Sequence, residues 1–115
     1  MALKLSVIIV NYNVKYYLDQ CISSVLRAFE VMKKASSSDS SVNEEVAEII
    51  VVDNHSADGS VDYLEKRYPQ MLYPMVRFVR SAHNLGFARA NNIAIRQSRG
   101  EYVLLLNPDT IVGED

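Results

Sequence analysis

Between Gly100 and Pro108 the chain carries an unbroken apolar run, Tyr102-Val103-Leu104-Leu105-Leu106, and then turns polar at Asn107 and Asp109. A short apolar run bounded by Gly and Pro reads as a strand buried on both faces, the kind found in parallel sheets covered by helices. Pro108 fixes φ, lacks an N–H and pushes Asn107 toward extended geometry. Strand pairing therefore ends there, and the Asp109 carboxylate comes to the carboxyl edge of the sheet. In open α/β sheets that edge is where ligands bind.

The rest of the chain supplies partners for such a strand. Leu5 to Val10 (LSVIIV) is a second β-branched run, broken by Asn11, Tyr12 and Asn13. From Val14, apolar residues fall at Tyr17, Leu18, Cys21, Ile22, Val25, Leu26 and Phe29, the spacing of an amphipathic helix with Asn13 as its N-cap. Cys21 lies in that stripe and reads as a small core residue. Residues 35–45, ASSSDSSVNEE, have too little apolar surface to offset ordering entropy and predict a mobile surface loop.

A strand over Glu48 to Val52 follows, ending in the polar turn Asp53 to Ser60. Ser60 or Asp58 caps a helix that Pro69 stops, and Val76 to Val79 forms a third strand. After the loop Ser81 to Gly86, a helix over Phe87 to Ser98 carries Ala88, Ala90 and Ala94, which permit close approach to a sheet. Gly100 ends it. Asn91 and Asn92 are poor helix-interior residues, because their side chains compete for backbone hydrogen bonds. The order β-α-β-α-β-α-β predicts an α/β fold: a doubly wound, mainly parallel sheet with helices on both faces, one domain spanning 1–115.

Composition narrows the function classes. Twelve Lys and Arg against 14 Asp and Glu give a formal charge of -2, with no nucleic-acid footprint. Cys21 is the single cysteine, which excludes an internal disulfide or a cysteine zinc cluster, and no long apolar span is present. A cytoplasmic setting fits, at or near a membrane face that this segment does not enter.

Three strands end in turns rich in amides or carboxylates: Asn11 to Asn13, Asp53 to Ser60, and Asn107 to Asp109. In a doubly wound sheet these lie along one edge, where a nucleotide could touch all of them. Carboxylates alone repel a diphosphate, so a divalent cation is implied, Mg²⁺ or Mn²⁺ bound through Asp109 and phosphate oxygens. Taken singly, Asn11, Asp53 and Asp58 also read as helix caps or Asx-turns, Asp58-Gly59 above all. His55 and His83 read as solvent-exposed, as do most of Arg77, Arg80, Arg89, Arg96 and Arg99, with Arg89 the candidate phosphate contact. The dinucleotide fingerprint G-x-G-x-x-G and the P-loop are absent. A receiver-like signalling domain would need an acidic cluster after the first strand, where Asn11 to Asn13 stand.

The segments SVIIVNYN, VVDNHSADGS, NLGFARANN and YVLLLNPDT, in this order, resemble the amino-terminal, nucleotide-sugar-binding half of an inverting family-two glycosyltransferase with the GT-A fold. The resemblance covers nearly the whole chain apart from the serine-rich insert. It implies that Val10, Asn11, Tyr12 and Asp53 hold the base and ribose of a nucleoside diphosphate. It implies too that Asn84, Gly86, Asn91 and Asn92 line the site near ribose and diphosphate. Asp109 matches the metal-binding Asp of the family's D-x-D motif, whose first Asp is replaced here by Asn107, weakening metal affinity without abolishing it. The N-P-D variant resembles a rhamnosyltransferase-like branch and suggests a UDP- or dTDP-linked donor, dTDP-rhamnose in particular.

By the same resemblance, a glycan or lipid-linked acceptor hydroxyl displaces the nucleoside diphosphate with inversion, in polysaccharide or cell-envelope assembly. The family's general base lies well beyond D-x-D, so none is expected within 1–115, and the chain is expected to bind nucleotide without transferring sugar. The apolar last strand is expected to lack a cover and to support self-association. The competing expectation is a non-catalytic α/β module that binds nucleotide or protein without metal.

Overall fold

The computed structural model describes residues 3–36 and 47–110. Four strands, β1 (Leu3–Asn11), β2 (Ala47–Asp53), β3 (Val76–Arg80) and β4 (Gly100–Leu106), alternate with three helices, α1 (Lys15–Ser36), α2 (Ser60–Arg67) and α3 (Phe87–Gln97). The strands form one parallel sheet in the order β3-β2-β1-β4. This is the predicted doubly wound α/β architecture. Because every strand runs the same way, the four loops that leave them emerge along one edge.

Side-chain alternation divides the core in two. Val7, Ile9, Ile49, Val51 and Val76 face α1 and α2, meeting Leu18, Cys21, Ile22, Val25, Phe29 and Leu64. Ile8, Val10, Ile50 and Val52 point the other way, onto Ala90 and Ala94 of α3. The two alanines leave room for α3 to lie close over β1 and β2. Each fully buried Ile or Val contributes about 1.5–3 kcal/mol, so this twofold cover is what fixes β1 and β2 at the centre.

The amino edge of the sheet is locked by a buried carboxylate. Glu48, 1% exposed, accepts from Ser6 Oγ (2.6 Å), from Arg77 Nη2 (2.9 Å) and from the Arg99 backbone N–H (2.7 Å). Burial works to push its carboxyl up, but these contacts outweigh it and hold Glu48 below its ordinary value. Ser6 Oγ accepts in turn from the Gly100 N–H at 2.8 Å. A Cβ at Gly100 would lie 2.5 Å from Ser6 N and 2.6 Å from Leu5 C, so only glycine lets β4 register against β1 here.

Several expectations are corrected. The Tyr102–Leu106 run is not buried on both faces: Tyr102, Val103, Leu104 and Leu105 are 61%, 41%, 45% and 48% exposed, because β4 is an edge strand that neither α1 nor α3 covers. Gly100 does not end the helix; α3 stops at Gln97 and Gly100 opens β4. The first helix continues past Phe29 to Ser36, taking in Ala35 and Ser36 of the expected loop, whose residues 37–45 lie outside the described ones. Arg77 is no solvated surface residue, since Glu48 and the Gln97 carbonyl hold it.

Candidate functional site

The carboxyl edge is built around Asn11 and Asp53, register partners at the ends of β1 and β2. Asn11 Nδ2 donates to Asp53 Oδ1 at 2.8 Å and to Ser56 Oγ at 3.2 Å. Ser56 returns its backbone N–H to Asp53 Oδ2 (3.0 Å), while its hydroxyl accepts from the Asn13 N–H (2.9 Å). Ala57 N–H donates to Asn13 Oδ1 at 2.7 Å. Asn13 and His55 adopt left-handed backbone, φ 55° and 70°, which these crossed contacts support. Asn13 is therefore not the α1 N-cap. It braces the β2 exit loop instead.

Asp58 does the capping, and at two helices. Its Oδ2 accepts from the Lys15 N–H at the start of α1 (3.1 Å), and its Oδ1 from the Ser60 N–H at the start of α2 (3.0 Å) and from the Ser60 hydroxyl. Burial works to raise the Asp58 carboxyl, yet these donors outweigh it and hold it below its ordinary value. Gly59, in left-handed conformation, occupies the N-cap position of α2 with no side chain to offer. The capping role expected of Asp58 is met, while Ser60 is the first helical residue.

Around this frame the predicted site residues separate. Tyr12 presents an exposed ring at the β1 exit, whereas the Val10 side chain is buried against α3, leaving only its backbone for a ligand. Asn84 and Gly86 are exposed on the loop before α3, and Gly86 (φ 82°) starts that helix without a side-chain cap. Helix N-termini of this kind favour anions, and the exposed Arg89 lies in the first turn. Asn91 is buried and its Nδ2 turns back to the Phe87 carbonyl at 3.1 Å, while Asn92 is exposed. His55 and His83 are exposed, as expected.

Asn107 and Asp109 leave β4 next to the β1 exit. With Val14, Tyr17 and Pro108 they line a recess of about 560 Å³. The Asn107 carbonyl accepts from Thr110 N–H (3.0 Å) and from the Cys21 thiol (3.7 Å). Burial pushes that thiol up to about 11, with the Asp109 charge adding to it, so Cys21 is a core residue and not a nucleophile. A second recess, about 580 Å³, lies between α1 and the 67–75 segment, lined by Leu26, Phe29, Tyr68, Leu72, Tyr73 and Met75 and by none of the predicted site residues.

Among the described residues no three His, Cys, Asp or Glu side chains converge as a metal ligand set. Asp109 is a lone, exposed carboxylate. It fits a hard divalent cation that draws its remaining ligands from phosphate oxygens and water. Sequence reasoning gave Asn54 and Ser56 no role of their own and gave Asn13 the wrong one, yet the three carry the loop framework. Their signal was the density of amide and hydroxyl residues in NYN and DNHS.

No helix among the described residues is long and apolar enough to cross a membrane. The pattern of the family described as glycosyl transferase family 2 matches residues 6–115. The poly(ribitol-phosphate) beta-glucosyltransferase of Bacillus spizizenii is 29% identical over 113 residues, 98% of this chain but 16% of that protein. Among solved structures, S. aureus TarS 1-349 in complex with UDP superposes with a TM-score of 0.74 at 25% identity, over 98% of this chain and 29% of that one. The mannosyltransferase PcManGT from Pyrobaculum calidifontis, in complex with GDP-Man and Mn2+, reaches 0.78 at 20% identity, over 100% and 30% respectively. The chain thus spans less than a third of each of these proteins. Since the match takes in the Asn11 to Asn13, Asp53 to Ser60, Asn84 to Gly86 and Asn107 to Asp109 loops together, the chain belongs to glycosyl transferase family 2, and its parallel sheet is the amino-terminal part of a GT-A fold.

Proposed function

We propose that this chain forms the donor-binding part of an inverting glycosyltransferase that takes a sugar from a nucleoside-diphosphate sugar and serves cell-envelope polysaccharide assembly. The observation that carries the reading is the carboxyl edge itself: the interlocked Asn11–Asp53–Ser56 frame beside the exposed Tyr12 ring, with Asp109 leaving the adjacent strand. The β1 exit, Val10 to Tyr12, and Asp53 take the base and ribose. Asn84, Gly86 and the start of α3 with Asn92 face the ribose and diphosphate, the buried Asn91 shaping the helix beneath them.

Asp109 holds a divalent cation, Mg²⁺ or Mn²⁺. When bound, the cation neutralises charge that grows on the departing diphosphate. Asn107 contributes no charge, so the cation depends on the nucleotide for its other anionic ligands. Among the described acidic residues of this edge, Asp53 and Asp58 hold backbone amides and Asp62 pairs with Arg80 at 2.7 Å. In this reading a carboxylate base takes the proton of a glycan or lipid-linked acceptor hydroxyl, at the cytoplasmic side of the membrane.

A UDP-linked sugar is the favoured donor, in keeping with the UDP bound by the TarS relative. The dTDP-linked sugar, dTDP-rhamnose above all, is the competing donor suggested by Asn107-Pro108-Asp109. Calorimetric titration with UDP and dTDP, each with and without Mn²⁺, ranks them. The reading expects metal-dependent binding that Asp109→Ala removes. Metal-independent binding unchanged by that substitution would instead identify a non-catalytic nucleotide-binding module.

A further inference from the structure

We propose that Asn54 is a positioning residue of the donor site: without touching the ligand, its buried carboxamide holds the 84–86 loop in the conformation that meets a nucleoside diphosphate. The inference rests on the donor-site reading and extends it to a residue outside the predicted set. Asn54 follows the last residue of β2 and is 4% exposed, so it offers a ligand almost no surface. Its backbone N–H and both ends of its carboxamide are bonded to the protein. Its backbone N–H donates to the Asn11 carbonyl (2.8 Å), its Nδ2 to Asn84 Oδ1 (2.9 Å), and its Oδ1 accepts from the Leu85 N–H (2.8 Å).

Asn84 Oδ1 accepts a second time, from the Gly86 N–H at 3.0 Å. One side chain thus orients the exposed Asn84 and, through it, the exposed Gly86 at the threshold of α3. Ser81 and His83, by contrast, bond to each other within the loop. The position needs a group that donates and accepts at once over a short reach, which an asparagine side chain satisfies. Aspartate would keep the acceptor for Leu85 but set an oxygen against Asn84 Oδ1. If Asn84 turned its amide over to compensate, its NH₂ would meet the Gly86 N–H. Either way one hydrogen bond of the loop is lost.

The test uses the whole chain, with Asn54→Asp, Asn84→Ala and the double variant, and reads UDP affinity with Mn²⁺ by calorimetry. In parallel, amide hydrogen exchange at Leu85 and Gly86 is followed without nucleotide in the wild type and in Asn54→Ala. Losing one such bond weakens binding about tenfold, so Asn54→Asp is expected to raise the UDP dissociation constant by that factor. In the Asn84→Ala background the same change is expected to have less than about a threefold effect, because its route to the ligand is already cut. Exchange at Leu85 and Gly86 is expected to accelerate in Asn54→Ala while Val51 and Val52 keep their rates.

Unchanged UDP affinity in Asn54→Asp, an equal loss in both backgrounds, or unaltered exchange at Leu85 and Gly86 would each overturn the proposal. A wild-type chain that binds neither UDP nor dTDP overturns the donor-site reading and the ligand half of this one. Accelerated exchange would in that case still establish the loop tether.

Discussion

Asn11 and Asp53 end adjacent central strands in register and share a hydrogen bond of 2.8 Å from amide to carboxylate, with Asn11 wholly buried. The orientation of the Asn11 amide follows from this, since turned over it would set its oxygen against a carboxylate. Its own Oδ1 has no partner among the described residues. Asn11→Asp would place two carboxylates at one buried point, where one of them must have a raised pKa. A group raised in the folded state contributes stability below its unfolded pKa and loses it as pH rises through the folded one. The variant should therefore approach wild-type stability near pH 4 and fall about 2 kcal/mol below it at pH 8, as thermal unfolding across that range would measure.

Asp58 serves two helix starts with one carboxylate. Asp58→Ala should cost about 1–2 kcal/mol in urea unfolding, more than an ordinary single cap. Because its folded pKa is lowered, its contribution is full above the ordinary Asp value of about 4 and is lost as pH falls through the folded one. The stability difference between wild type and variant should thus shrink as pH falls below the ordinary Asp range.

Glu48 poses the same question at the opposite edge, where the carboxylate itself is buried. Glu48→Ala takes the carboxylate partner from the half-buried Arg77 guanidinium, leaving it the Gln97 carbonyl, and removes the acceptor of Arg99 N–H, which should cost about 3 kcal/mol in denaturant unfolding. A cost under about 1 kcal/mol would mean that Arg77 finds water instead.

Gly100→Ala has no way to fit, because the atoms met at 2.5 and 2.6 Å belong to the β1 backbone as well as to Ser6 Oγ. The variant should lose about 1–3 kcal/mol as β4 moves off β1. Nuclear magnetic resonance shifts should be concentrated at Leu5, Ser6 and residues 100–103.

Self-association through β4 should be visible as a mass that rises with concentration in light scattering. Val103→Lys with Leu105→Lys should return it to that of a monomer, since lysine on an open edge strand opposes pairing. Mass that rises equally in both proteins would move the contact elsewhere.

Much of the frame was legible because it depends on local patterning. The β-branched runs of β1 and β2 and the helical spacing from Tyr17 to Phe29 carry their structure within themselves. Asn13 misled because its side chain answers to Ala57, 44 residues away, rather than to the helix it precedes. Glu48 gave no sign of its role for a like reason: Ser6, Arg77 and Arg99 come from three other parts of the chain. The burial of Tyr102 to Leu105 was misjudged because an apolar run tells that a strand exists but not which of its sides has a neighbour. At the site, residue types marked the edge, but which amides face a ligand and which brace a loop is a matter of geometry, as Asn91 and Asn54 illustrate.

The exposure of β4 bears on Asp109 in a way that concerns linkage. Among the described residues, Asp109 follows a strand that pairs with β1 alone, so the order of that strand bears on where the carboxylate is held. Under the donor-site proposal, an element that covers β4 would preorganise Asp109 for a cation, and by reciprocity a cation with its nucleotide would tighten that cover by the same factor.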